Sequence, residues 1–131
     1  MRSYKELDAW KFSMELAKKI YEITEDFPAR ETYGLSSQMQ RAAVSVPSNI
    51  AEGSGRNSRK EFVHFIYHSR GALLELETQL ELSRMLGYLH EEKYGETAKL
   101  ITRIHKIING LIFSLKNSPT TNNPQPTTSE G

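Results

Sequence analysis

Residues 41–89 read RAAVSVPSNIAEGSGRNSRKEFVHFIYHSRGALLELETQLELSRMLGYL. An apolar pattern of helical period carries a lone proline, Pro47, and breaks at Gly53-Ser54-Gly55. It resumes at Ser58, where Glu61 sits three residues on in capping-box spacing, and continues to about Leu86, with Gly87 as the stop. Two long helices joined by a tight connection must fold back on one another, because a short link makes neighbouring helices antiparallel.

The pattern extends outward on both sides. Upstream, Ser3 and Glu6 again have capping-box spacing. Leu7, Trp10, Met14, Ala17 and Tyr21 then recur at alternating three and four, which predicts one stripe of a first helix ending before Pro28. A second helix starts between Thr32 and Leu35 and puts Leu35, Met39, Ala42, Val46 and Ile50 on one face. Proline inside a helix removes a backbone bond and clashes with the preceding turn, at about 3 kcal/mol. The apolar phase nevertheless passes from Val46 to Ile50 without a slip, so one helix kinked at Pro47 is expected rather than two. Downstream, a fourth helix follows His90, with Leu100, Ile101, Ile104, Ile107, Ile108, Leu111 and Leu115 as its apolar face. The fold class is all-α: an antiparallel up-down four-helix bundle over residues 1–116. Residues 117–131 hold no aliphatic or aromatic side chain, and are expected to form a disordered Thr/Asn/Pro-rich tail.

Composition narrows the function. With 131 residues there is room for one domain and one core. Cysteine is absent, which excludes disulfides, thiolate nucleophiles and cysteine zinc sites. No apolar run approaches the roughly 20 residues of a membrane span, and MRSYKELDAW lacks the apolar core of a signal peptide, so a cytoplasmic protein is expected. The net charge of +1 is too small to attract nucleic acid globally, so any basic surface must be local.

The stretch SVPSNIAEGSGR, followed by KEF, the small-residue run Ser69-Arg70-Gly71, LELETQLELS and LGYL, resembles the 23S rRNA intervening-sequence protein family. The resemblance covers about residues 5–116. It implies a four-helix bundle assembled into a ring, typically a homopentamer, with no established enzymatic activity and no cofactor. A fold relative, the accessory protein of diversity-generating retroelements, binds RNA and a reverse transcriptase through a basic surface and lends a mechanism by analogy.

Two kinds of surface follow from the helical wheel. Helix one is apolar over about 220° of its circumference, with Phe12, Leu16 and Ile23 at the side of the arc away from Trp10, Met14 and Tyr21. Helix three has a core face of Phe62, Phe65, Leu73, Leu76 and Leu80 and a second line of Val63, Tyr67, Leu74 and Met85, while Phe113 lies off the core stripe of helix four. The set Phe12, Leu16, Ile23, Val63, Tyr67, Leu74, Met85 and Phe113 is the expected interface between copies. Lys99, Arg103 and Lys106 fall within about 60° of one another on helix four. Arg56, Arg59 and Lys60 flank the second connection, and Arg41 lies on the polar side of helix two. Those seven are the expected nucleic-acid contacts. In a pentamer, three charges per subunit become a band of about fifteen, and phosphate-directed affinity scales with the number of phosphates neutralised.

Enzyme readings find little support. His64 and His68 are one turn apart, and Glu61 with His64 forms a Glu-x-x-His pair, but a di-iron carboxylate bundle needs two such pairs and two further glutamates. Surface or interface histidines are expected, with no metal. The Gly53–Ser58 connection lacks the GKS or GKT of a P-loop, and no strand precedes it. Ser45, Ser48, Arg41 and Glu52 share a polar face and make no triad; Glu52 is expected to bond an arginine such as Arg70. Gly71, inside helix three, suggests close approach of another helix. The reading is a non-enzymatic, ring-forming RNA-binding module, with the alternative of a scaffold that recruits a protein partner without touching nucleic acid.

Overall fold

The computed structural model describes residues 3–117 and holds four helices: α1 (Asp8–Thr24), α2 (Leu35–Ser54), α3 (Arg59–Met85) and α4 (Glu91–Asn117). Three-residue 3-10 turns, Tyr4–Glu6 and Ala29–Glu31, precede α1 and α2. The sequence reading set Asn117 at the start of a tail; it is instead the last residue of α4, and the rest of that expected tail lies outside the described residues.

Local chemistry explains the boundaries. Ser58 caps α3, its hydroxyl accepting from the Glu61 backbone N–H at 3.1 Å. Gly87 takes φ +80°, the left-handed conformation that ends a helix, just beyond Met85. At the amino end the expected capping box is a 3-10 turn, with the Ser3 hydroxyl accepting from the Lys5 N–H. α2 passes unbroken through the buried Pro47.

Cross-helix pairs fix the topology. Along α3 and α4, Tyr67 meets Lys116, Arg70 meets Asn109, Glu77 meets His105 and Glu81 meets Tyr94, so one number rises as the other falls. The Ser69 hydroxyl donates to the Val46 carbonyl at 2.8 Å and the Ser83 hydroxyl reaches Met39 Sδ at 3.3 Å, which runs α2 against α3. Lys19 with Glu96 and Phe12 with Arg103 run α1 against α4. Each helix packs on two neighbours and α4 closes the square on α1.

The core holds Leu16, Ile20, Met39, Val46, Ile50, Ile66, Leu73, Leu76, Leu80, Ile101, Ile104 and Ile108, all fully buried. The expected face of α2 is correct throughout. The expected stripe of α1 is not. Met14 and Tyr21 are 45% and 49% exposed, while Ala9, Ser13, Leu16, Ala17, Ile20 and Ile23 face inward. The cause is the second neighbour: α1 is covered by α2 on one side and α4 on the other, so the line assigned to a partner is the core line. Gly71 likewise meets nothing within 4 Å. The close approach is at Gly53, where an added Cβ would lie 2.7 Å from Phe65 Cβ.

Candidate nucleic-acid interface

α4 is built with opposite charge at its two ends. Its first two turns carry Glu91, Glu92 and Glu96, favourable at a helix amino terminus. From residue 98 to 117 it has Lys99, Arg103, Lys106 and Lys116 and no carboxylate. Lys99, Arg103 and Lys106 are exposed, because Ile101, Ile104 and Ile108 on the opposite side of the helix turn into the core. None of the three forms an ion pair among the described residues. The Arg103 guanidinium lies over the Phe12 ring, 4.2 Å from its centroid, which holds the charge at the α1–α4 seam.

The other expected cations stand apart from this row. Arg56 is tied to Glu52 at 2.9 Å and stacks on Phe65 at 4.7 Å, so Glu52 does bond an arginine, Arg56 rather than Arg70. Arg70 instead donates to Asn109 at 2.8 Å and lies over Tyr67. Lys60 is exposed and Arg59 half-buried beside the α2–α3 connection. With Glu77 level with His105, Lys60 lies about 25 Å along the bundle from the α4 row. Arg41 is exposed across the α2–α3 groove, beside Gln38, Ser45 and Glu75. The seven residues therefore occupy three surfaces, of which only the α4 row is continuous.

The expected assembly surface also divides. Leu16, Ile23 and Val63 are 0%, 6% and 9% exposed and belong to the protomer's interior, a correction to their assignment as interface residues. Phe12 is half-buried beneath Arg103. Tyr67, Leu74, Met85 and Phe113 do reach the surface, the last two about 70% exposed. Leu82, missed because it interrupts the expected line, joins them. Leu74, Leu82 and Met85 line a cleft of about 610 Å³ with Glu77, Thr78, Glu81 and Tyr94. Its polar rim is set: Arg84 bonds Glu81, and the Tyr94 hydroxyl donates to Glu81 at 2.7 Å. These donors hold the Glu81 carboxyl below its ordinary range, Arg84 most strongly, and the Glu81 carboxylate pushes the Tyr94 phenol up.

A second polar network joins the α1–α2 and α3–α4 connections at the same end of the bundle. Glu31 accepts from the Leu35 backbone N–H at 3.1 Å and from the Tyr88 hydroxyl at 2.8 Å. The Leu35 amide first, then Tyr88, lowers its carboxyl from the ordinary 4.5. Nearby, Lys19, Glu22, Asp26, His90 and Lys93 line a cleft of about 600 Å³ whose mixed charge selects no ligand class. Among the described residues no three histidine, aspartate or glutamate side chains converge to hold a metal, and no helix is long and apolar enough to cross a membrane.

This fold, a closed square of four helices, has known counterparts. The sequence profile of the family described as 23S rRNA-intervening sequence protein matches residues 5–110, and the chain belongs to that family. A crystal structure of a protein of unknown function from the S23 ribosomal protein family of Bacteroides thetaiotaomicron is similar, with a TM-score of 0.72 and 25% identity over 79% of this chain and 97% of the other. No curated protein matches the chain.

Proposed function

We propose that the chain is a non-enzymatic, self-associating module that binds RNA through α4. The observation that carries the reading is the row Lys99, Arg103 and Lys106, exposed, without an ion pair among the described residues, and on a stretch free of carboxylates from residue 98 to 117. One such row is weak. Repeated around a ring, as the resemblance implies, it becomes a band that neutralises several phosphates at once, and affinity follows the number neutralised. Self-association is supported by Leu74, Leu82 and Met85 along α3 and Phe113 on α4, which are apolar and exposed in one protomer, together with the exposed Tyr67 ring flanked by Arg70 and Lys116. Light scattering gives the assembly mass, and binding of a structured RNA at low and moderate salt tests the surface. Steeply salt-dependent binding that is lost in a folded Lys99→Glu, Arg103→Glu, Lys106→Glu variant is expected. Binding retained by that variant removes α4 from the mechanism.

The second reading is a scaffold that recruits a protein without touching nucleic acid. The α3 cleft favours it: Leu74, Leu82 and Met85 give a docking strip with a hydrogen-bonded acidic rim. Assembly with no affinity for RNA at low salt decides for this alternative.

A further inference from the structure

Near the α2–α3 connection, His64 and His68 stand one turn apart on the exposed face of α3. Their Nε2 atoms are 3.2 Å apart, and the rings meet edge to face at 84°. We propose that this pair is a bidentate site for a borderline divalent transition ion, Cu2+ foremost, followed by Ni2+ and Zn2+. The inference is independent of the nucleic-acid reading.

The argument is geometric. Imidazole nitrogens ligate such ions at about 2.0–2.1 Å, so two nitrogens at the observed separation subtend about 100° at a shared ion. That lies between the right angle of a square-planar site and the tetrahedral angle. The i, i+4 register keeps both rings on one face, so a small rotation of the rings brings both lone pairs onto a shared ion. In the metal-free pair one Nε2 donates its proton to the other. An ion takes both lone pairs once the donor ring moves its proton to Nδ1. Imidazole suits copper, nickel and zinc, and the general affinity order puts copper first. Hard oxygen-seeking ions such as Mg2+ and Ca2+ are excluded by the same donor set.

The surroundings permit the charge. His64 lines a cleft of about 590 Å³ with Arg56, Ser58, Lys60, Glu61 and Phe65, and the Arg56 charge is offset by Glu52 at 2.9 Å. Lys60 lies one turn before His64 and extends into solvent. Glu61 shares the cleft with His64 and adds a carboxylate at its rim. With no third protein ligand in reach among the described residues, water or a second copy of the pair completes the coordination. Two ligands rather than four make this an exchangeable site.

The test uses the full chain free of any affinity tag. Calorimetric titration with CuCl2 should give one ion per protomer, and electron paramagnetic resonance of the loaded protein should show nitrogen ligands. His64→Ala and His68→Ala should each weaken binding at least tenfold with helicity intact, and His64→Gln should do the same. His90→Ala, at the far end of the bundle, should leave binding unchanged. Copper should raise the melting temperature of the wild type and not that of the double variant. Equal copper affinity in wild type and a folded His64→Ala, His68→Ala variant overturns the proposal, as does loss of binding in His90→Ala alone.

Discussion

The Arg103 guanidinium sits 4.2 Å from the centroid of the Phe12 ring, so the central cation of the α4 row is anchored to α1 and the flanking Lys99 and Lys106 are not. The three residues therefore differ in order although they share a face.

That difference separates their variants. Lys99→Glu or Lys106→Glu should weaken RNA binding and reduce the salt slope by about one unit each if each contacts one phosphate. Arg103→Glu should do the same and also lower the melting temperature slightly, through loss of a contact worth about 0.5–1 kcal/mol at an exposed site. Salt titrations with thermal melts on the same samples check both parts. Identical melting temperatures for all three variants would sink the anchoring role.

The phase of α1 gives a sharper contrast. Leu16 is fully buried, so Leu16→Ala should destabilise the protomer by about 2–5 kcal/mol. Met14→Ala, at a position 45% exposed, should fall within about 0.5 kcal/mol, as surface changes do. Urea unfolding of the two variants side by side is the measurement.

Two glycines should respond oppositely. Gly53→Ala forces a Cβ to 2.7 Å from Phe65 Cβ and should destabilise by about 1–3 kcal/mol, the range for overpacking. Gly71→Ala meets nothing within 4 Å inside a helix, so the protomer should gain about 0.5–1 kcal/mol. Gly71→Leu then reports on assembly: a smaller particle with an undiminished melting temperature places that face between copies, and unchanged mass and melting temperature together remove it from the interface.

Glu31 predicts an acid response. Its folded carboxyl titrates below the ordinary 4.5, because the Leu35 amide and then the Tyr88 hydroxyl bond the charged form. A depressed folded value means that the stabilisation is full above the unfolded value and is lost as pH falls through the folded one. Melting temperatures of the wild type should therefore drop more steeply than those of Glu31→Gln between about pH 5 and about pH 3. Parallel curves would show that the network does not discriminate between the charged and neutral acid.

The number of helices, the capping of α3 by Ser58 and the buried line Leu35, Met39, Ala42, Val46 and Ile50 of α2 were legible in the sequence, because each rests on local chemistry or an unbroken period. The phase of α1 was not, because large apolar side chains line both edges of its arc and size drew the reading to Trp10, Met14 and Tyr21. A better signal was present. Lys11, Glu15, Lys18 and Glu22 cluster on one side, and the buried Ala9, Ser13, Ile20 and Thr24 lie about 180° away on the wheel. The α4 row was legible from its spacing alone. The separation of the three basic surfaces was not, since it depends on how far α3 carries the chain before it turns back. That Gly71 has no helix against it within the protomer was not legible, because a glycine facing solvent and a glycine under a crossing helix look the same in sequence.

The tight seat of Gly53 against Phe62 and Phe65 also bears on the four residues that follow α2. A corner welded that closely has little freedom left to lose. A molecule that grips Arg56 or Lys60 meets a stiff handle rather than a slack tether, and forfeits little entropy in holding it.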